Sequence, residues 1–223
     1  ESINLNECSS MDASGRSGFS FPVGYHRFHR KQLYNYQLNR PFSLGYARYQ
    51  DLADAGQRIR NFDEWKREMR RQAEKALAEG RVVQAAFHYR AAEFFTFADD
   101  PDKEILYDRF SELFWRAFSH HGIVRTEAPF QRGSLPVMEL EPKGRSRGTI
   151  LLHGGYDSFI EEFYSLMWFF QERGYRVVGF EGPGQGAARR KSGLPMDFRW
   201  EKPVGAVLDH LGEGDVTLIG LSM

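Results

Sequence analysis

The sequence predicts an α/β protein, a mostly parallel sheet flanked by helices with a helical block ahead of it. Three observations carry that reading. Between Asn61 and Gly80, apolar Trp65, Met69, Ala73 and Leu77 recur every four residues, which gives a helix one buried face. Around Gly122 the hydrophobic period changes from helical to alternating. From about residue 148 apolar strand runs alternate with helical stretches, and strands joined through helices of that length lie parallel.

Composition narrows the function classes. At 223 residues the chain can bury a real core in one or two domains. Lysine plus arginine equals aspartate plus glutamate at 30 each, and a nucleic-acid binder would carry a basic excess. The 19 Phe and 10 Tyr suit a packed core or an apolar pocket. A single cysteine, Cys8, makes no internal disulfide and fits a reducing, cytoplasmic setting. No apolar run reaches the roughly 18 residues a membrane span needs, and residues 1–20 lack the h-region of a signal peptide. The absence of an initiator Met and the stop at Met223 suggest trimming at both ends.

In chain order, residues 1–20 are Ser-, Gly- and Asn-rich and read as a flexible tail. Residues 21–49 are dense in aromatics, expected as a short helix with loops packed on a helical domain; some of these rings could line a substrate cavity. Helices are expected over 51–60, 62–79, 81–97 and 101–120. Asn61 is the N-cap of the second, Asp63 and Glu64 lie in its first turn, and Gly80 stops it. Residues 21–121 thus form an N-terminal helical, cap-forming domain, and 122–223 a second domain. Strands are expected at 123–128 and 135–140, linked by Gln131-Arg132-Gly133, as an antiparallel edge. Then follow strand 149–152, helix 158–173 stopped by Gly174, strand 175–180, helix 199–211 stopped by Gly212, and strand 216–219.

Three loops leave the carboxyl ends of the parallel strands, where ligands bind in open sheets. They are His153-Gly154-Gly155-Tyr156, Glu181-Gly182-Pro183-Gly184-Gln185-Gly186 and Gly220-Leu221-Ser222-Met223. A strand running into Gly-x-Ser-x begins a nucleophile elbow, which pushes the serine hydroxyl out of the sheet. Serine needs a base, and carbonyl attack creates an oxyanion that backbone N–H groups must meet. One such donor would be Met223, the other Gly155 or Tyr156. His153 and Gly154 are read as shaping their loop rather than as catalytic groups. Gly-Pro-Gly-Gln-Gly lacks the Lys-Ser/Thr of a phosphate loop, so a nucleotide site is disfavoured. Arg189-Arg190-Lys191 reads as solvated surface.

These motifs, with Glu161-Glu162 after the first loop and Tyr36-Gln37-Leu38-Asn39-Arg40 in the N-terminal segment, resemble the α/β-hydrolase superfamily. The likeness is to the group of 2,6-dihydroxypseudooxynicotine hydrolase, the fermentation-respiration switch proteins and dipeptidyl aminopeptidase-like proteins. It covers most of residues 30–223, and Glu181 departs from the Asp of many relatives. The resemblance implies the first half of an α/β-hydrolase sheet behind a helical domain that roofs the site. It also implies a Ser…Asp…His triad in that order, with Ser222 as nucleophile. All seven histidines precede Ser222, so the acid and base are expected downstream of Met223 and the chain is expected to need that segment. In the carbon–carbon hydrolase of this group a glutamate after the oxyanion loop faces the site, and Glu161 or Glu162 matches by position. Both also suit a helix's first turn, where the dipole favours carboxylates.

The sequence-level expectation is therefore a serine hydrolase of esters, thioesters, amides or ketone-adjacent C–C bonds. Its partner is a small-molecule substrate, with no cofactor, metal, nucleic acid or membrane; a homodimer is open to it. A non-catalytic binding or regulatory protein on the same fold is the alternative, since fold does not fix function. Residues 1–223 alone are not expected to be a stable, active monomer.

Overall fold

The computed structural model describes residues 19–222. The expected tail, apart from its last two residues, and Met223 lie outside the described residues. The chain divides between Ser119 and His120 into two compact units.

The first unit is helical: α1 (Gln32–Ser43), α2 (Tyr49–Arg58), α3 (Phe62–Ala78), α4 (Val82–Phe94) and α5 (Asp102–Ala117). Asn61 caps α3 by accepting a hydrogen bond from Glu64 N–H at 2.8 Å. Gly80, at φ 73°, makes the left-handed turn into α4. Trp65, Met69 and Ala73 are fully buried, whereas Leu77 is half-exposed and Ala76 is buried instead. The helical period explains this. Twelve residues at 3.6 per turn carry Leu77 roughly 120° away from Trp65, while eleven bring Ala76 back within about 20°. α4 shows no single apolar face because α3 and α5 both pack on it, burying even Gln84, His88, Arg90 and Glu93. The aromatics of 21–49 form much of this core: Tyr46 stacks on Phe87 with centroids 3.6 Å apart, and Phe28 and Phe42 pack edge to face.

The second unit holds the sheet. β1 (Val124–Phe130) and β2 (Gly133–Leu140) form an antiparallel hairpin. Then come β3 (Thr149–His153), a 3-10 turn (Ile160–Phe163), α6 (Tyr164–Gln171), β4 (Arg176–Phe180), α7 (Gly186–Arg190), α8 (Glu201–Leu211) and β5 (Val216–Gly220). The strand order is β1-β2-β4-β3-β5, with β4, β3 and β5 parallel. The hairpin joins antiparallel through β2 on β4, the expected edge arrangement.

Both faces of β3 and β4 are covered, as parallel strands require, whereas β5, expected as a buried strand, leaves Thr217 and Leu218 exposed. On one face Leu151, Val178 and Phe180 pack with Ala188, Trp200 and Val207. On the other, Gly179 admits Ile160 and Met167 against its bare backbone.

Two local expectations change. The helix expected over 158–173 is a 3-10 turn followed by the shorter α6, because Glu162 Oε2 accepts Phe159 N–H at 2.9 Å and closes a tight first turn. Part of the expected glycine-rich loop is helical: α7 starts at Gly186 and carries Arg189 and Arg190. Its sequence hid it because a five-residue helix behind Gly-Pro-Gly shows no period.

Candidate active site

The three motif loops leave the carboxyl ends of β4, β3 and β5, three adjacent parallel strands, on one sheet edge. Leu221 N–H donates to His153 C=O at 3.0 Å and extends the β3–β5 ladder one step past β5. At Ser222 the backbone then turns to φ 70°, a left-handed conformation serine rarely adopts. Gln131 in the hairpin turn is the other non-glycine residue with positive φ among the described residues. Such strain persists only where the surroundings over-determine it, and it costs on the order of 1–3 kcal/mol.

Gly155 lies directly against Ser222. A Cβ on Gly155 would stand 3.0 Å from Ser222 Cβ and 3.3 Å from Oγ. Ser158 turns the loop back, accepting Gly155 N–H on its Oγ at 3.1 Å and donating its own N–H to Gly155 C=O at 3.2 Å. Gly155 N–H is thus engaged, whereas Tyr156 N–H has no acceptor among the described residues.

The second loop ties to the first through Gln185, which is 2% exposed. Its Nε2 donates to Gly154 C=O at 2.7 Å and to Gly155 C=O at 2.6 Å. Its Oε1 accepts Gly182 N–H at 2.8 Å.

No family model matches the sequence. The chain is 31% identical over 215 residues to the hydrolyase poxO of Penicillium oxalicum, covering 83% of this chain and 51% of poxO. Among solved structures, 2,6-dihydroxy-pseudo-oxynicotine hydrolase superposes with TM-score 0.60 at 25% identity, covering 81% of this chain and 56% of that one. AbyA5 superposes with TM-score 0.64 at 22% identity, covering 77% and 51%. The chain has the α/β-hydrolase fold and is similar to these hydrolases. It spans about half the length of poxO and of both structural neighbours.

In this α/β-hydrolase unit the other candidate residues fall as follows. His153 is buried, with Nδ1 3.1 Å from Gly154 C=O and its ring tilted over Trp200 at 4.8 Å. Gly154 packs on Ser158 and Phe163. Glu162 caps its own turn, as above. Glu161 is buried beside Glu181. Met223, the other expected oxyanion donor, lies outside the described residues.

Glu181 was legible in the sequence only as a departure from Asp. It is 2% exposed; Oε1 accepts Ile160 N–H at 3.1 Å and Oε2 accepts Ala187 N–H at 2.6 Å. One carboxyl thus joins the 3-10 turn to α7. Gly186 must be glycine, because any Cβ there would fall inside that carboxyl group. Burial, then the neighbouring Glu161 charge, pushes Glu181 well above the usual carboxylate range despite those amide donors. No group of three or more His, Cys, Asp or Glu suited to a metal occurs among the described residues. No described helix is long and apolar enough to cross a membrane.

Proposed function

We propose that the protein is a serine-dependent hydrolase with Ser222 as nucleophile, cleaving an ester, thioester, amide or ketone-adjacent C–C bond of a small molecule. The observation that carries this reading is the left-handed Ser222 at the end of a parallel strand, with Gly155 packed against it. Its relative poxO is named a hydrolyase and its structural neighbour a hydrolase.

In this reading Ser222 Oγ attacks the carbonyl carbon while a histidine, oriented by an aspartate, takes the hydroxyl proton; both follow Ser222 in the Ser…Asp…His order. The oxyanion is met by Tyr156 N–H and Met223 N–H, and its collapse expels the leaving group, which takes the proton from the histidine. Water then releases the acyl group. Glu161 and Glu162 stand after the oxyanion loop, and in this reading one of the two faces the substrate. The single cysteine favours the reducing cytoplasm as the site of action.

The test is turnover of a panel of aryl esters, thioesters, anilides and β-diketones by the naturally produced protein and its Ser222→Ala variant. Loss of every wild-type activity in Ser222→Ala supports the reading. Binding without turnover of any class would identify a non-catalytic binder instead.

A further inference from the structure

The Gly-Pro-Gly-Gln-Gly turn is left without a role by the chemistry above, yet it carries a buried side chain with a directed set of hydrogen bonds. We propose that Gln185 is a positioning residue that clamps the loop after β3 and fixes the direction of its oxyanion donor, a role that rests on the serine-hydrolase reading.

The argument starts from the planar peptide. In a trans peptide the C=O and the N–H of the next residue point in opposite directions, so anchoring one aims the other. Gln185 Nε2 has two hydrogens, and they reach Gly154 C=O at 2.7 Å and Gly155 C=O at 2.6 Å. Anchoring Gly154 C=O aims Gly155 N–H at Ser158 Oγ, 3.1 Å away. Anchoring Gly155 C=O turns Tyr156 N–H away from Gln185. Gly155 itself abuts Ser222, so the donor aimed this way belongs to the peptide beside the nucleophile.

The clamp is itself held. Gln185 Oε1 accepts Gly182 N–H at 2.8 Å, and Gln185 N–H donates to Gly182 C=O at 3.0 Å, closing the turn on both sides. Glycines keep two peptides mobile in principle, since Gly154 and Gly155 have no side chains of their own to fix them. Ser158 holds Gly155 from within the loop, and Gln185 of the neighbouring strand's loop holds both carbonyls from outside it. A glutamine is required for this: a glutamate at 185 would set a carboxylate against two carbonyl oxygens, and a methionine would keep the shape without donors.

The experiment measures turnover of an aryl ester and its thionoester analogue by the naturally produced protein and its Ser222→Ala, Gln185→Glu and Gln185→Met variants. Sulfur accepts hydrogen bonds poorly, so thionoester turnover gains little from the oxyanion donors. Their loss costs on the order of 10²–10³ in ester kcat. We expect both Gln185 variants to lower ester kcat on the order of 10²-fold, lower thionoester kcat far less, and so collapse the ester-to-thionoester ratio. A variant that is merely less folded loses both activities by the same factor and leaves that ratio unchanged. An unchanged ratio in both Gln185 variants would overturn the clamp while leaving Ser222 as nucleophile. Ester turnover that survives Ser222→Ala would overturn the serine reading and the clamp with it.

Discussion

Gly155 and Ser222 are packed so tightly that a methyl group on the first would stand 3.0 Å from the Cβ and 3.3 Å from the Oγ of the second. Gly155 does not have positive φ, so its backbone would accept alanine, and only the contact with Ser222 and Leu221 C=O has to give. Gly155→Ala is therefore expected to fold and to displace the nucleophile by a few tenths of an ångström. Misplacements of about 1 Å can cost on the order of 10²-fold, so a fall in kcat of about 10-fold or more is expected. Steady-state kinetics beside a thermal melt within a few degrees of wild type would check it.

The strain at Ser222 is measurable by comparing two inactive variants. Ser222→Gly and Ser222→Ala both lose the hydroxyl, but only glycine tolerates φ 70° without penalty. Ser222→Gly is expected to be more stable than Ser222→Ala by about 1 kcal/mol in denaturant unfolding. Equal stabilities would mean that the backbone at 222 relaxes out of the left-handed region.

Glu181 gives stability a pH dependence. Burial, with Glu161 beside it, pushes its folded value up to about 8, against an ordinary value of 4.5. The folded state thus holds a proton that the unfolded state releases. The associated stability is fully present below about pH 4.5 and is lost as pH rises toward about 8. For one proton the slope is at most about 1.4 kcal/mol per pH unit. Glu181→Gln is expected to flatten unfolding free energy across that window, which denaturant titrations at successive pH values would resolve.

In the helical unit, buried Asp51 accepts hydrogen bonds from Lys75 at 3.0 Å and from Arg81 at 2.8 Å, with His88 Nε2 3.9 Å away. Burial alone would raise its pKa. The Lys75 hydrogen bond and the Arg81 charge hold it far below the usual range instead. The stability it contributes is present above about pH 3.8 and is lost as pH falls toward the depressed value. Asp51→Asn leaves Arg81 its Glu79 partner but removes the shared one, so a loss of about 2–3 kcal/mol at pH 7 is expected in chemical unfolding.

Much of this arrangement was legible in the sequence where local chemistry dictates structure. Asn61 and Gly80 bracket α3 as capping rules require, and Gly212, at φ 64°, stops α8. The change of period at Gly122 separates helices from strands, and the alternation after it gives the parallel order. What stayed hidden depends on tertiary partners. α4 is buried all round because two helices sandwich it, which no periodicity reveals. α7 is too short to show a period. In the candidate site, Ser222 and the three loops were visible as motifs. The roles of Gln185 and Glu181 were not, because the partners that tie them to other loops lie 21 to 31 residues away. The one signal was Glu181's departure from the Asp of many relatives.

The account turns on Ser222 as the nucleophile, and covalent labelling tests that most directly. The naturally produced protein is treated with a fluorophosphonate, which traps an activated serine hydroxyl, then digested and sequenced by mass spectrometry. The prediction is a single phosphonyl adduct on Ser222 that disappears in Ser222→Ala. No adduct, or an adduct on another residue that persists in Ser222→Ala, would contradict it.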